Sequence, residues 1–245
     1  MLSKADIRYI KSLQVKKYRK QEQCFLVEGA KSVQELLASD FHTVMIVATS
    51  DFLATVSVQA DCRVEEVSEG VLGGLGDFQT SNAAIAVAQM KPNAPLQLPD
   101  DEFVLVLDDI RDPGNLGTIV RTADWYGITK IVASSETADF YNPKVINATM
   151  GSFTRTNIYY THLPAFLQAI KGRPVYGAYL EGQNIYNTVF PKGGFVVMGN
   201  EARGISSDLE KFISQKITIP RFGKAESLNA AIATAVILDN IRRKT

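Results

Sequence analysis

Between Leu228 and Leu238 the only polar side chains are Asn229 and Thr234, so a helix over this stretch has no wide solvated face and must be covered on most sides. The apolar run 216–219 just before it predicts a strand ending at Pro220. A polar loop containing Gly223 joins the two, and Ser227 is placed to cap the helix through its hydroxyl. Two upstream segments follow the same plan: 103–107 is apolar and runs into the polar stretch 108–115, and 195–198 runs into 199–204. Strands this continuously apolar, alternating with helical patterns, predict a parallel sheet covered on both faces. In such sheets the loops beyond the strands' carboxyl ends form the binding crevice, so three polar loops should converge there.

Taken in order, Ile7, Ile10, Leu13 and Val15 recur at near-helical spacing in the first twenty residues. A strand over 24–28 closes at Gly29, and a helix over 30–38 presents Val33, Leu36 and Leu37. Strands at 43–47, 63–67 and 83–88, with short helices near 51–55 and 68–76, complete a small α/β unit. Pro92, Pro95 and Pro99 make 91–101 a stiff linker, giving domains of 1–90 and 102–245. In the second domain Asn115 is placed to cap a helix with Leu116, Ile119, Val120 and Ala123 on its buried face. Arg121 stands about 140° from Leu116, beside Thr118 and Asp124, and is free to face a ligand. A strand over 130–133, a helix from Asn142-Pro143 to about Met150, a helix over 165–170, a strand over 175–179 and a capping box Ser207-x-x-Glu210 follow.

With 245 residues and 46 % hydrophobic content, the chain can bury real cores. No apolar run approaches the roughly 20 residues of a membrane span and no signal-peptide core is visible, so a cytoplasmic location without membrane partners is expected. Cys24 and Cys62 lack metal or redox spacing, and no metal site is expected. His42 and His162 lie outside the three loops, which argues against Ser-His-Asp and Cys-His catalysis. Gly74-Leu-Gly76 has no third glycine in dinucleotide-binding register, and Gly223-Lys224 has Thr218 where a P-loop needs glycine. Formal charge is zero but uneven: Lys4, Arg8, Lys11, Lys16, Lys17, Arg19 and Lys20 outnumber Asp6 in the first twenty residues. Such a basic arm suits phosphate neutralisation in a nucleic acid, or the solvated face of a helix.

The three loops resemble, in order, the signature of the SpoU-type (TrmH-like) RNA ribose 2′-O-methyltransferases of the SPOUT superfamily. The matching residues are Asn115-x-Gly117-x-x-x-Arg121, then Gly199-Asn200-Glu201-x-x-Gly204-Ile205, then Ile219-Pro220 with Glu226-Ser227-Leu228-Asn229. Upstream, Lys16-Lys17-Tyr18-Arg19 and the segment from Phe25 to Lys31 are similar to the opening of the small substrate-binding domain of such enzymes. One departure is Asn147 and Thr149, where relatives often carry Arg and Ser.

The resemblance implies a ribosomal-protein-like α/β domain before a knotted parallel-sheet domain that dimerises. It also implies S-adenosylmethionine as methyl donor, contacted by the main chain of Gly199, Ile219 and Leu228, and RNA as substrate, ribosomal rather than transfer. Arg121, Asn115 and Glu201 would carry the chemistry, with Glu201 paired to Arg121 or to the partner subunit. Arg121, a permanent cation, suits phosphate binding and alkoxide stabilisation better than proton abstraction, although relatives are often described with it as the base. Asn200, Ser227 and Asn229 would bind substrate or pin the loops, with pure helix capping the alternative for Ser227 and Asn229, and Lys16, Lys17 and Arg19 would contact RNA. The competing expectation is a non-catalytic RNA-binding protein, which has no need of Arg121, Asn200 and Glu201 together.

Overall fold

The computed structural model describes residues 2–76, 83–170 and 172–244. By contacts the chain divides into two compact units, Met1–Pro92 with Asp139–Thr154, and Asn93–Ala138 with Arg155–Thr245.

The first unit begins with helices α1 (Lys4–Ser12) and α2 (Lys16–Glu22), then runs β1 (Cys24–Glu28), α3 (Ala30–Leu37), β2 (Thr43–Ala48), α4 (Ser50–Leu53), β3 (Arg63–Glu66), α5 (Glu69–Gly73) and β4 (Ala84–Gln89). Its sheet has the order β1-β4-β2-β3, with β4 antiparallel to both neighbours and β3 parallel to β2. Gly29, at φ 93°, makes the left-handed turn from β1 into α3 that a side chain would resist. Ile10 and Leu13 are fully buried in the core with Leu26 and Val87, so the apolar stripe of the basic arm is a packing face.

Residues 139–154 group with this unit although they lie inside the second in sequence. The cause is aromatic and ionic. Phe153 sits edge-on to Phe25 at 5.9 Å and faces Phe41 at 5.7 Å, Tyr141 lies 4.6 Å from Phe25, and Asp139 accepts from Arg19 at 2.7 Å.

The second unit comprises β5 (Phe103–Leu107), α6 (Pro113–Trp125) and β6 (Lys130–Ala133), then, after α7 (Pro143–Thr149) in the first unit, β7 (Asn157–Tyr160), α8 (Leu163–Ala169), β8 (Val175–Asn184), β9 (Gly194–Met198), α9 (Ser207–Glu210), β10 (Gln215–Thr218) and α10 (Ala230–Lys244). Its six strands are all parallel, in the order β10-β8-β9-β5-β6-β7. Val104, Val106, Val132, Phe195 and Val197 bury one face of this sheet under Leu163 and Leu167 of α8. The 91–101 segment forms neither helix nor strand, and hydrogen bonds tie it down. Asn93 exchanges two hydrogen bonds with the Tyr160 main chain, and Arg173 donates to the carbonyls of Leu98, Pro99 and Glu102 while stacking on Phe195.

Three caps differ from the sequence expectation. Asp112, not Asn115, caps α6, accepting from the Asn115 amide at 2.8 Å with Pro113 in the first turn. Asn229, not Ser227, caps α10, its Oδ1 accepting from Ala231 and Ile232. Ser206, not Ser207, stands at the N-cap of α9, which puts the Ser207-Glu210 pair out of capping-box register, and the Ser206 hydroxyl is turned to Asp108 instead of capping. α10 packs on α6, where Arg242 donates to the Tyr126 and Gly127 carbonyls. Its cover is incomplete: Thr234, Leu238 and Ile241 are fully buried, but Ile232 is 53 % exposed. No helix among the described residues is long and apolar enough to cross a membrane.

Candidate active site

Three loops meet at the carboxyl ends of β5, β9 and β10. After β5, the buried Asp108 carboxylate accepts from the Ser206 amide at 2.7 Å and hydroxyl at 2.6 Å, which joins the first loop to the second. Asp109 follows at φ 59°, a left-handed conformation that the short polar side chain of Asp tolerates. Its carbonyl accepts from Asn200 Nδ2 at 2.8 Å. Asn200 also exchanges both main-chain bonds with Gly204, and its Oδ1 accepts from the amides of Ala202 and Arg203. Both ends of the Asn200 side chain are therefore committed to pinning the loops.

The tips of the loops are joined by a second chain of hydrogen bonds. Asn229 Nδ2 donates to Asn115 Oδ1 at 2.8 Å, and Asn115 Nδ2 donates to Glu201 Oε1 at 2.6 Å. One residue from each motif thus meets in a single node. Because Asp112 takes the capping role, the Asn115 side chain is released for this duty. The node leaves the second Glu201 oxygen open on an exposed side chain.

Beside the node lies a cleft of about 970 Å³, lined by 198–205, 216–223 and 225–228 together with the β8 stretch 178–181 and Ala230, Ala233 and Ile237 of α10. Gly199, Glu201, Ile219, Ser227 and Leu228 line it; Asn115 and Arg121 do not. Among the described residues, the main-chain groups of Gly199 and Leu228 and the Ile219 N–H have no protein partner. Unpaired donors and acceptors around a concavity of this size fit an adenosyl ligand read through main-chain hydrogen bonds. Among the described residues there is no cluster of His, Cys, Asp or Glu that could hold a metal ion.

Arg121 is exposed on α6, about 9 Å along and about 240° around the helix from Asn115. It makes no hydrogen bond or ion pair among the described residues. Its helix neighbour Asp124 is held by Arg155 at 2.9 Å, and Glu201, the expected partner of Arg121, is held by Asn115. Lys16 and Lys17 are exposed, whereas Arg19 is 1 % exposed. Its guanidinium donates to the Leu13 and Gln14 carbonyls and to Asp139, so it fastens the α1–α2 corner rather than meeting RNA. The Asp108–Ser206 bond and the Asp112 cap escaped the motif reading. For the second a signal exists, Asp followed by Pro at the first helical position.

A wholly parallel sheet with a ligand-sized cleft gathered from the ends of its strands is the arrangement of an α/β fold that binds its ligand at the strands' carboxyl ends. The chain belongs to the SpoU rRNA methylase family, whose model matches residues 102–239; residues 4–86 match the MRM3-like substrate binding domain. It is 30 % identical to the 23S rRNA (guanosine(2553)-2′-O)-methyltransferase RlmP of Bacillus subtilis (strain 168), covering 95 % of this chain and 94 % of that one. A solved TrmH-family structure from Porphyromonas gingivalis superposes with a TM-score of 0.91 at 38 % identity over 100 % of both chains. An AdoMet-bound rRNA methyltransferase from Sinorhizobium meliloti gives 0.89 at 30 % identity, over 99 % of this chain and 97 % of that one.

Proposed function

We propose that the protein transfers a methyl group from S-adenosylmethionine to a ribose 2′-oxygen of ribosomal RNA. The observation that carries this reading is the Asn115–Glu201–Asn229 node, which fixes all three motifs at the rim of the donor cleft. Main-chain groups of Gly199, Ile219 and Leu228 hold the donor, which when bound supplies an electrophilic methyl on a sulfonium. Ser227, exposed on the cleft wall and free of the capping role, orients the ribose. Glu201, steered through one oxygen by Asn115, offers the other to the 2′-hydroxyl proton. Arg121, which does not line its own cleft, acts at that of a second copy in the homodimer, binding the adjacent phosphate and favouring the developing alkoxide. The preference for ribosomal over transfer RNA rests on the first unit and on the substrate named for the Bacillus relative.

The active species is a cytoplasmic homodimer. Support comes from two exposed apolar side chains on the packed helices, Trp125 of α6 at 84 % and Ile232 of α10 at 53 %, each of which a second copy can bury. The C-terminal chain forms a trefoil knot. Support comes from connectivity: β10 is an edge strand beside β8, yet α10 packs on α6, the helix after the central β5, so 219–229 must return across the strand ends.

With radiolabelled S-adenosylmethionine and ribosomal RNA from cells lacking the gene, the protein should generate alkali-resistant dinucleotides, because a methylated 2′-oxygen no longer attacks its own phosphodiester. Label on a base, or none on RNA, defeats the reading. RNA is gripped by the exposed cations of α1 and α2. Replacing Lys16 and Lys17 together by alanine should lower the slope of log affinity against log salt by about 1 to 2, with stability intact. Arg19→Ala should show the opposite split, costing about 2 to 3 kcal/mol in denaturant melts by stripping three bonds from a buried cation, with the slope of the folded fraction unchanged.

A further inference from the structure

Phe222 is 92 % exposed, the highest value among the large hydrophobic side chains of the described residues, and it lies on the wall of the donor cleft. It stands in the loop between β10 and α10, next to Arg221 and two residues before Lys224, all exposed. Arg221 donates to the Ala225 carbonyl at 3.3 Å, a bond within the same loop that leaves its charge unneutralised. Across the cleft Arg203 is exposed with no carboxylate partner among the described residues, and Leu180 of β8 adds a second exposed apolar surface at 74 %. Among the described residues the Phe222 ring makes no contact with another ring, and at this exposure it covers no core.

A bare aromatic face between cations, at the mouth of a site that works on a nucleotide sugar, has the make-up of a stacking platform for an unpaired base. Single-stranded RNA is recognised in this way, by aromatic stacking with cations on the flanking phosphates. We propose that Phe222 stacks on an unpaired base of the substrate RNA, at or next to the methylated nucleotide, while Arg203 and Arg221 take the neighbouring phosphates. The inference rests on the proposed RNA methyl transfer and adds the group that splays the strand across the cleft. Phe222 thus contributes to RNA binding: it holds a base beside the site without touching the reacting atoms.

The arrangement differs from two other uses of an exposed ring. A lid over the adenosyl group would make donor affinity depend on it, and a contact with a second copy would make assembly depend on it. The test uses Phe222→Ala and Phe222→Trp in the full chain. RNA affinity is read without chemistry, by anisotropy of unmethylated ribosomal RNA fragments in the presence of S-adenosylhomocysteine; donor affinity is read by calorimetry and mass by sedimentation. The alanine variant should bind RNA about 5- to 100-fold more weakly, the loss expected for one base stack, and raise KM by a similar factor with kcat little changed. The tryptophan variant should recover most of this, with donor affinity and mass equal to wild type in both. Equal RNA affinity of wild type and Phe222→Ala overturns the proposal, as does a loss confined to donor affinity, which assigns the ring to the adenosyl group, or an altered mass, which assigns it to a protein interface. A wild type that binds RNA but methylates none defeats the proposed activity while the binding comparison still decides the role of Phe222.

Discussion

Replacing Arg121 by alanine should lower turnover by about 10²- to 10³-fold, the cost of removing one electrostatic stabiliser from a developing oxyanion, while donor affinity stays within about two-fold. The structure separates these two effects. Arg121 does not line the cleft, so the donor loses no contact. It has no partner among the described residues and stands on the exposed stripe of α6 with Thr118 and Trp125, so the fold loses little, within about 0.5 kcal/mol for such a surface change. What is removed is a permanent cation on the helix whose first turn carries Asn115 and hence the node. Lysine at this position should restore part of the rate, since a point charge replaces charge but not the two-pronged grip of a guanidinium on phosphate. Turnover unchanged in the alanine variant would exclude Arg121 from the reaction. A parallel fall in donor affinity would mean that its role is structural.

Much of this site can be read from residues alone, and the reasons for success and failure are physical. β5, β6 and β9 are buried on both faces, so their apolar runs are continuous and their limits fall close to expectation. β7 is an edge strand, Asn157-Ile-Tyr-Tyr, only half-buried, and no periodicity marks it. The motif residues are recognisable because each loop needs particular polar groups. Which of those groups caps a helix and which reaches across is decided by tertiary contact. Asn115 and Ser227 have capping side chains, but Asp112 and Asn229 sit at the true first turns. Arg19 shows the same limit. In a run of cations it looks like an RNA contact, yet its neighbour at position 139 comes from a segment 120 residues away. The stripe of α10 is legible as apolar, but the pattern overstates its cover, since Ile232 stays exposed in the chain.

Gly199→Ala should cost the protein its donor site, and the reason differs from the one the motif suggests. A glycine at the end of β9 invites the idea that a ligand approaches the bare backbone. In the structure the space is taken by the protein itself: a Cβ on Gly199 would overlap the Gly204 carbonyl carbon and the Ile205 nitrogen, main-chain atoms that no rotamer change can withdraw. The loop doubles back onto Gly199 because Asn200 and Gly204 exchange two main-chain bonds immediately beyond it. An added methyl must therefore push Gly204 and Ile205 outward, straining those bonds and the Asn200–Asp109 link. The main-chain groups of Gly199 then no longer face the cleft in register with Leu228 and the Ile219 amide. Donor affinity should fall by about 10²-fold or more, the equivalent of roughly 3 kcal/mol, a displacement at the upper end of overpacking costs. Global stability should fall by no more than about 1 to 3 kcal/mol, because β9 and its neighbours are not displaced. Calorimetric donor binding alongside a thermal melt separates the two. A folded Gly199→Ala protein that binds donor as tightly as wild type would show that this loop yields without cost, and that the main chain at 199 is not part of the donor site.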